Sequence, residues 1–279
     1  MILKNQVLYR NGIKPIVWDA YFNKTGSPKP LVVFCHGYKG FKDWGCWDLV
    51  AENYRSKNFF FVKFNFSHNG GTVQQPIDFP DLEAFAENNY SKELNDLGDI
   101  LNYLLSDDHP NHNEINKKSI TLIGHSRGGG IATIFASEDS RIGNLITWAS
   151  VCDFAKRTST IGDLEQWKKD GVKYVLNGRT NQQMPHNYQF YEDFKANETR
   201  LSIELATKKI KVPHLIIHGK EDPSVSFDEA KSLAAWNPSS ILMPIENTNH
   251  VFDSKHPWQE NQLPKRLKDV VDKSMDFIK

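Results

Sequence analysis

The chain has 279 residues, of which 39% are apolar and 24% are charged. These are ordinary values for a soluble globular protein, and the length supplies one large core without demanding two domains. The 34 basic residues balance the 34 acidic residues, so no net charge argues for nucleic acid or an anionic membrane as a partner.

The N-terminal residues contain no apolar run long enough for a signal peptide. The longest apolar runs, such as Leu31 to Cys35, are far too short to span a bilayer. The three cysteines, Cys35, Cys46 and Cys152, lack metal-ligand spacing, which is typical of reduced thiols. These features predict a cytoplasmic protein with no stable membrane association and no metal site.

Apolar runs predict a series of strands, in chain order Pro15–Phe22, Pro30–His36, Phe59–Phe66, Ser119–Gly124, Leu145–Cys152, His214–His218 and Ile241–Ile245. The middle runs are continuously apolar, which is typical of parallel strands covered on both faces. The first run is a candidate for an antiparallel edge strand. Helix-like stretches lie between the strands, at Asp43–Lys57, Leu82–Leu105, Arg127–Ser137, Phe227–Trp236 and Pro264–Ile278. This alternation predicts a mostly parallel α/β sheet flanked by helices.

One stretch, residues 153–210, interrupts the alternation because it contains no clear strand. It is rich in polar and aromatic residues, among them Trp167 and Tyr191. A structureless loop of that length is implausible inside a compact domain. We predict a small, mostly helical insertion that forms a lid over the active site, between core segments 1–152 and 211–279. Additional surface packing is the alternative, and the position of the two aromatic residues relative to the pocket is left open.

The clearest motif is Gly124-His125-Ser126-Arg127-Gly128, which follows an apolar strand and precedes a helix-like stretch. In this context the Gly-x-Ser-x-Gly pattern predicts that Ser126 is a nucleophile on a tight strand-to-helix turn. Glycines are needed there because the serine is strained and the neighbouring backbone comes very close. A glycine-rich phosphate-binding turn is the alternative, but the spacing matches neither common nucleotide-binding motif.

A second glycine-bearing loop begins at His36-Gly37, after another buried strand. Acyl transfer requires two backbone N–H donors aimed at the developing oxyanion. We predict that Tyr38 and Arg127 supply them, because the two loops should face the same end of the sheet. A tight turn without a catalytic part is the alternative, and His36 is expected to be structural.

An acid and then a histidine should follow the serine along the chain. Asp222 lies just after the strand before the last one and is predicted to orient the base, with Glu221 and Asp153 as rivals. His250 lies in a polar loop after the last strand and is predicted to be the general base. His256 is its nearest rival, but it stands before a proline at the start of the next segment.

Together these segments resemble the α/β-hydrolase superfamily, over nearly the whole chain from Leu31 onward. The greatest likeness is to bacterial serine esterases related to feruloyl and cinnamoyl esterases and to serine aminopeptidase-like hydrolases. It is carried by His36-Gly37-Tyr38-Lys39-Gly40-Phe41-Lys42-Asp43-Trp44, Phe64-Asn65-Phe66-Ser67, Gly124-His125-Ser126-Arg127-Gly128-Gly129 and His218-Gly219-Lys220-Glu221-Asp222. In outline the chain also resembles dienelactone hydrolases, in which a cysteine takes the place of Ser126.

The resemblance implies a serine hydrolase that cleaves a small-molecule carboxylic ester with a small or medium acyl group through an acyl-enzyme. Such chemistry needs no cofactor and no metal. Thioesterase, peptidase and acyltransferase activities remain alternatives, as does a non-catalytic binding protein of the same fold. A membrane-acting lipase would require an exposed apolar lid, whereas this insertion mixes charged residues such as Lys168 and Asp170 among its aromatics. A homodimer is left open.

Overall fold

The computed structural model describes residues 1–159 and 162–278. Its strands are β1 (Ile2–Arg10), β2 (Ile13–Tyr21), β3 (Lys29–Cys35), β4 (Phe60–Phe64), β5 (Ile115–His125), β6 (Asn144–Trp148), β7 (Val172–Asn177), β8 (Gln182–Asn187), β9 (His214–Gly219) and β10 (Ile241–Ile245). Eight of them form one sheet in the order β1-β2-β4-β3-β5-β6-β9-β10. Antiparallel pairing joins β1 to β2 and β2 to β4, and the other neighbours in this sheet are parallel.

Helices lie between the strands and after the last one. They are α1 (Trp47–Ser56), α2 (Leu82–Ala86), α3 (Tyr90–Leu105), α4 (Arg127–Glu138), α5 (Phe154–Ser159), α6 (Leu164–Asp170), α7 (Gln189–Ala196), α8 (Ile203–Lys209), α9 (Phe227–Trp236) and α10 (Lys265–Ile278). None of the helices in the described ranges is long and apolar enough to cross a membrane.

The central strand β3 shows why the middle runs are continuously apolar. Leu31 and Val33 point to one side and pack with residues of α3 and α4. Val32 and Phe34 point to the other side and pack with residues of α1 and α10. Because successive side chains of a strand face opposite sides, a sheet covered on both faces needs apolar residues at every position. The predicted α/β class and mostly parallel sheet are therefore confirmed.

Two regions in the first half of the chain differ from the prediction. The strand β1 was not predicted, because its side chains are mostly exposed or half-buried and do not alternate cleanly. It lies at the sheet edge, so the strand predicted as a candidate edge strand, β2, lies one position further in. The predicted helix Leu82–Leu105 is divided into α2 and α3, since the Asn89 side chain caps α3 by accepting the N–H of Lys92.

Residues 153–210 contain α5 to α8 and also a hairpin of β7 and β8, whose two strands were not predicted. Tyr174 and Leu176 are exposed, whereas the polar Asn177 and His186 are buried. The apolar pattern therefore does not mark these strands. Residues 160 and 161 of the predicted insertion lie outside the described residues.

A buried ion network anchors the segment after β3 to the sheet. Asp19 of β2 lies 2.7 Å from Lys63 of β4 and 2.8 Å from Lys42, and all three side chains are fully buried. The backbone N–H of Lys42 also donates to Asn65 Oδ1 at 2.6 Å. A buried charge is costly unless it is paired, so these contacts hold the loop that begins at His36 in one position.

Candidate active site

Ser126 stands between the last residue of β5 and the first residue of α4, with φ 56° and ψ −121°. A non-glycine residue adopts this conformation only when the surrounding structure holds it there. The turn is so tight that a Cβ atom at Gly124 would lie 2.3 Å from the carbonyl oxygen of Gly128. The two glycines of the motif are therefore required by sterics, and the turn places Ser126 beside the N-terminus of α4.

The loop after β3 packs directly against this turn. A Cβ atom at Gly37 would lie 2.9 Å from the Cβ of Ser126, so the position accepts only glycine without a shift. His36 fixes the loop from beneath, since its Nδ1 lies 2.9 Å from Gly37 O and its Nε2 accepts the N–H of Phe66 at 3.3 Å. Burial lowers the pKa of His36 to about 4 and keeps the ring neutral, as a structural hydrogen-bonding group must be.

Asp222 and His250, which are 28 residues apart, form a hydrogen bond between Oδ2 and Nδ1 at 2.7 Å. The other carboxylate oxygen accepts the N–H groups of Ser224 and Val225 at 2.8 and 3.0 Å. Burial by itself would raise the pKa of Asp222, but hydrogen bonds from His218 and His250 outweigh it and hold the pKa well below the usual range. The ionised carboxylate fixes the proton of His250 on Nδ1, which leaves Nε2 as an acceptor.

Two further histidines support this pair, and sequence reasoning missed both. His125 Nε2 lies 2.9 Å from the carbonyl oxygen of His250 and can hold the backbone of His250 in place. His218 Nε2 lies 3.3 Å from Asp222 Oδ2 and 2.9 Å from Val225 O. Burial lowers the pKa of His125 to about 3, so it acts as a neutral donor. Its position inside the Gly-x-Ser-x-Gly motif was the only signal that could have indicated it.

The rival residues are engaged elsewhere. Glu221 accepts the N–H of Thr248 at 3.3 Å, and Asp153 accepts the N–H of Lys156 at 3.0 Å in the first turn of α5. His256 Nδ1 accepts the N–H of Gly45 at 2.9 Å. The structure therefore brings His250 together with Asp222 rather than with either rival acid.

Two cavities meet at Ser126. The larger has a volume of about 380 Å³ and is lined by Tyr38, Tyr90, Ser126, Arg127, Val151, Phe154, Arg157, Val175, Ser224, Val225 and His250. The smaller has a volume of about 160 Å³ and is lined by His36, Gly37, Tyr38, Lys39, Gly40, Trp44, Trp47, His125, Ser126, His250 and Val251. Ser126, His250 and Tyr38 are common to both. A substrate bond held at Ser126 can thus extend one group into each cavity.

Comparison with known proteins adds the family. Residues 19–236 match the family model described as BD-FAE. The chain belongs to the BD-FAE family. It is 24% identical to monoacylglycerol lipase ABHD6 of Rattus norvegicus over 281 residues, which cover 87% of this chain and 77% of that protein.

Solved structures share the fold of this BD-FAE protein. Est1E from Butyrivibrio proteoclasticus with bound ferulic acid matches with a TM-score of 0.71 at 18% identity, covering 98% of this chain and 97% of that one. Mouse α/β hydrolase domain-containing protein 10 matches with a TM-score of 0.66 at 18% identity, over 98% and 97% of the two chains. The BD-FAE protein is therefore a carboxylesterase-type hydrolase with the α/β-hydrolase fold.

In this BD-FAE protein the region 153–210 supplies part of the larger cavity, through Phe154 and Arg157 of α5 and Val175 of β7. The Tyr38 hydroxyl lies 2.9 Å from His186 Nε2 on β8. Trp167, in contrast, is buried within the region itself, where its Nε1–H donates to the carbonyl of His186 at 2.8 Å. It packs against neighbouring aromatics rather than lining either cavity at Ser126.

One group of carboxylates in the described residues has the spacing of a cation site, namely Asp19, Asp43 and Asp48. Three lysine ammonium groups already contact it, from Lys4, Lys42 and Lys63. The cluster therefore belongs to the ion network that anchors the loop after β3, and its charge is balanced by the protein itself.

Proposed function

We propose that this protein is a serine esterase that cleaves carboxylic esters with small or medium acyl groups, with Ser126 as nucleophile, His250 as base and Asp222 as the orienting acid. The observation that carries the proposal is the hydrogen bond from His250 Nδ1 to Asp222 at 2.7 Å, beside the strained turn that presents Ser126. An acid–histidine pair at a cavity that also exposes a serine is the arrangement that nucleophilic acyl transfer requires.

The chemistry follows from the geometry. Asp222 keeps the proton on Nδ1, so His250 Nε2 accepts the proton of Ser126 as the hydroxyl attacks the ester carbonyl. The backbone N–H groups of Tyr38 and Arg127 bind the resulting oxyanion, and each such donor contributes about 3 kcal/mol to the transition state. His250 returns its proton to the alcohol that leaves, then activates water to release the acid from Ser126.

The size of the cavities supports a small or medium substrate. Ligand cavities in proteins range from about 300 to 1,000 Å³. The larger cavity here, about 380 Å³, is near the lower end of that range. We also propose that the region 153–210 is a lid, since it contributes cavity wall and is tied to the loop after β3 by Tyr38 and His186. The unpaired cysteines favour a reducing compartment such as the cytoplasm.

The test is hydrolysis of p-nitrophenyl esters from C2 to C12 by the wild type and by Ser126→Ala. We expect turnover that is greatest for short chains and that falls about 10⁶-fold in the variant. Ser137→Ala, in the last turn of α4, is the matched control and should retain wild-type rates. Labelling of the wild type and of Ser137→Ala by a fluorophosphonate probe, with loss in Ser126→Ala, would identify the nucleophile independently of the substrate. Equal activity of the wild type and Ser126→Ala would refute the proposal.

A further inference from the structure

The permanently charged residues that line the larger cavity at Ser126 are all basic. Its charged lining residues, apart from the titratable His250, are Arg127 and Arg157. Within the described part of the chain, no aspartate or glutamate lines this cavity. An apolar or neutral polar lining would suffice for an uncharged ester, so the presence of two arginines in the lining calls for an explanation.

Arg127 projects from the first residue of α4 and is held in a fixed position by aromatic rings. Its Cζ lies 4.3 Å from the ring centre of Tyr38 and 5.2 Å from that of Tyr90. Its carboxylate neighbour Glu93 is buried behind it, with Oε1 at 3.4 Å from Nη1, which is longer than a good charge-assisted hydrogen bond. The same oxygen accepts a shorter bond, 2.7 Å, from Asn88. Glu93 therefore neutralises Arg127 only in part.

The raised pKa of Glu93 also limits how far this carboxyl group neutralises Arg127. Burial raises the pKa of Glu93, although the charge of Arg127 opposes the shift. An arginine side chain remains positively charged throughout the working range of an enzyme. Arg127 thus stays positively charged, whereas the carboxyl group of Glu93 ionises less readily than an exposed one.

Arg157 reaches the same cavity from α5, in the region 153–210. It is ion-paired with Glu229, and its Nη1 donates to the carbonyl of Ser224 at 3.2 Å. Glu229 also accepts the N–H of Cys152 at 2.9 Å and lines a different cavity, of about 530 Å³, beside α8 and α9. Arg157 therefore belongs to the lining of the cavity at Ser126, whereas its partner Glu229 does not.

We propose that the larger cavity binds the carboxylate of an anionic ester, and that Arg127 and Arg157 determine this specificity. The inference rests on the proposed esterase function of Ser126. A planar guanidinium matches a carboxylate through two parallel N–H bonds, and such charge-assisted bonds are stronger than those between neutral groups. The hydroxyl of Ser224 and the phenols of Tyr38 and Tyr90 add neutral polar groups to the same lining. The substrate class is a half-ester of a dicarboxylic acid or an ester of a hydroxy acid.

The experiment compares kcat/KM for matched anionic and neutral esters. In the acyl series, p-nitrophenyl hydrogen adipate is compared with its neutral carbamoyl isostere, p-nitrophenyl 5-carbamoylpentanoate. In the alcohol series, the acetate ester of 5-hydroxypentanoate is compared with that of 5-hydroxypentanamide. We expect the wild type to prefer the anionic member of at least one series by about tenfold or more, the effect of one charge-assisted hydrogen bond.

Substitution then tests the two arginines. Arg157→Gln and Arg127→Gln should each reduce the preference about tenfold, mainly by raising KM for the anionic ester. Arg157→Lys should restore part of it, because the charge is kept and only the planar fork is lost. Arg200→Gln is the matched control: this arginine pairs with Glu138 at 2.8 Å outside the lining of both cavities, and its loss should leave the preference unchanged.

The outcomes separate this inference from the proposed function. Equal rates for anionic and neutral esters in both series would overturn the inference alone, as would an unchanged preference in both glutamine variants. No hydrolysis of any ester, with a folded protein whose Ser126 fails to react with a fluorophosphonate, would overturn the proposed function and the inference with it.

Discussion

Replacement of Asp222 by asparagine should lower kcat by about 10⁴-fold while leaving the loop intact. Oδ1 of Asp222 accepts two backbone N–H groups, from Ser224 and Val225, at 2.8 and 3.0 Å. An amide NH₂ group cannot occupy that position, because it would face two donors. In Asp222→Asn the carbonyl oxygen must therefore take the Oδ1 position, and the NH₂ group must point at His250 Nδ1.

That orientation reverses the hydrogen bond. The amide donates to Nδ1 of His250, so the imidazole must carry its proton on Nε2, where it can no longer accept the proton of Ser126. A carboxylate-to-amide change in a serine triad lowers kcat by about 10⁴-fold. This corresponds to about 5.4 kcal/mol at 1.36 kcal/mol for each factor of ten.

The assay is hydrolysis of p-nitrophenyl acetate, with circular dichroism and thermal unfolding to establish that Asp222→Asn is folded. Glu221→Gln is the matched control, because within the described chain Glu221 accepts a hydrogen bond from the backbone N–H of Thr248 and none from His250. We expect the control to keep its rate within about threefold, since its contact is a single backbone hydrogen bond. A rate above one tenth of the wild type in Asp222→Asn, or a comparable loss in Glu221→Gln, would refute the assignment of the acid.

Three further predictions concern the loop after β3, the ion network and the buried histidines. Gly37→Ala should lower kcat about 100-fold in a folded protein, measured with the same ester, because the new Cβ would lie 2.9 Å from the Cβ of Ser126 and displace the proposed oxyanion donor at Tyr38. Asp19→Asn should lower the free energy of unfolding in urea by about 3 to 5 kcal/mol, because it removes the fully buried carboxylate that the ammonium groups of Lys42 and Lys63 share and leaves the network with excess positive charge. Stability should also fall between pH 7 and pH 5, because buried histidines with lowered pKa values stay neutral while the unfolded chain binds protons below about pH 6.5. The pKa values are lowered to about 4 for His36 and to about 3 for His125, His186 and His214. At His214 burial alone lowers the pKa. The free energy of unfolding should therefore fall by about 2 kcal/mol less in His214→Gln than in the wild type between pH 7 and pH 5.

Each of these predictions has a control and a contrary result. Gly178→Ala adds a Cβ in open space and should leave kcat unchanged, so an equal loss there would contradict the argument from Gly37. Asp228→Asn removes an exposed pair with Lys231 and should leave the free energy of unfolding nearly unchanged. If Asp19→Asn lowers the free energy of unfolding no more than Asp228→Asn does, the ion network does not stabilise the loop after β3. A pH profile of His214→Gln that is parallel to the wild type would show that His214 does not titrate as argued.

Much of the sheet could be predicted because its central strands are buried on both faces. The runs that became β3, β5 and β9 each contain a short, mostly apolar and fully buried stretch, at residues 31–35, 120–123 and 215–217, which indicates a strand in the sheet interior. β1, β7 and β8 escaped prediction for the opposite reason: they are partly exposed, and Tyr174 and Leu176 face solvent. Pattern reasoning fails where burial does not follow hydrophobicity.

The candidate site residues could be predicted from their order along the sequence, but the contacts that support them could not. Ser126, Asp222 and His250 could be chosen because each follows a predicted strand at the expected edge of the sheet. The contact of His125 with the carbonyl of His250 joins residues 125 positions apart. No local pattern encodes such a contact, since it depends on how two loops meet in the folded chain. The roles of the three residues stay predictions until the substitutions above are measured.

Tyr38 connects the chemistry to the region 153–210. Its backbone N–H is the proposed oxyanion donor, and its hydroxyl lies 2.9 Å from His186 of β8. The next residue, Lys39, donates its ammonium group to the carbonyl of Leu176 on β7 at 2.9 Å. The loop is rigid at its other end, where Lys42 is fixed by the buried Asp19. A displacement of the hairpin must therefore either break the bonds at Tyr38 and Lys39 or bend the loop between them and Lys42, which would move the oxyanion donor itself.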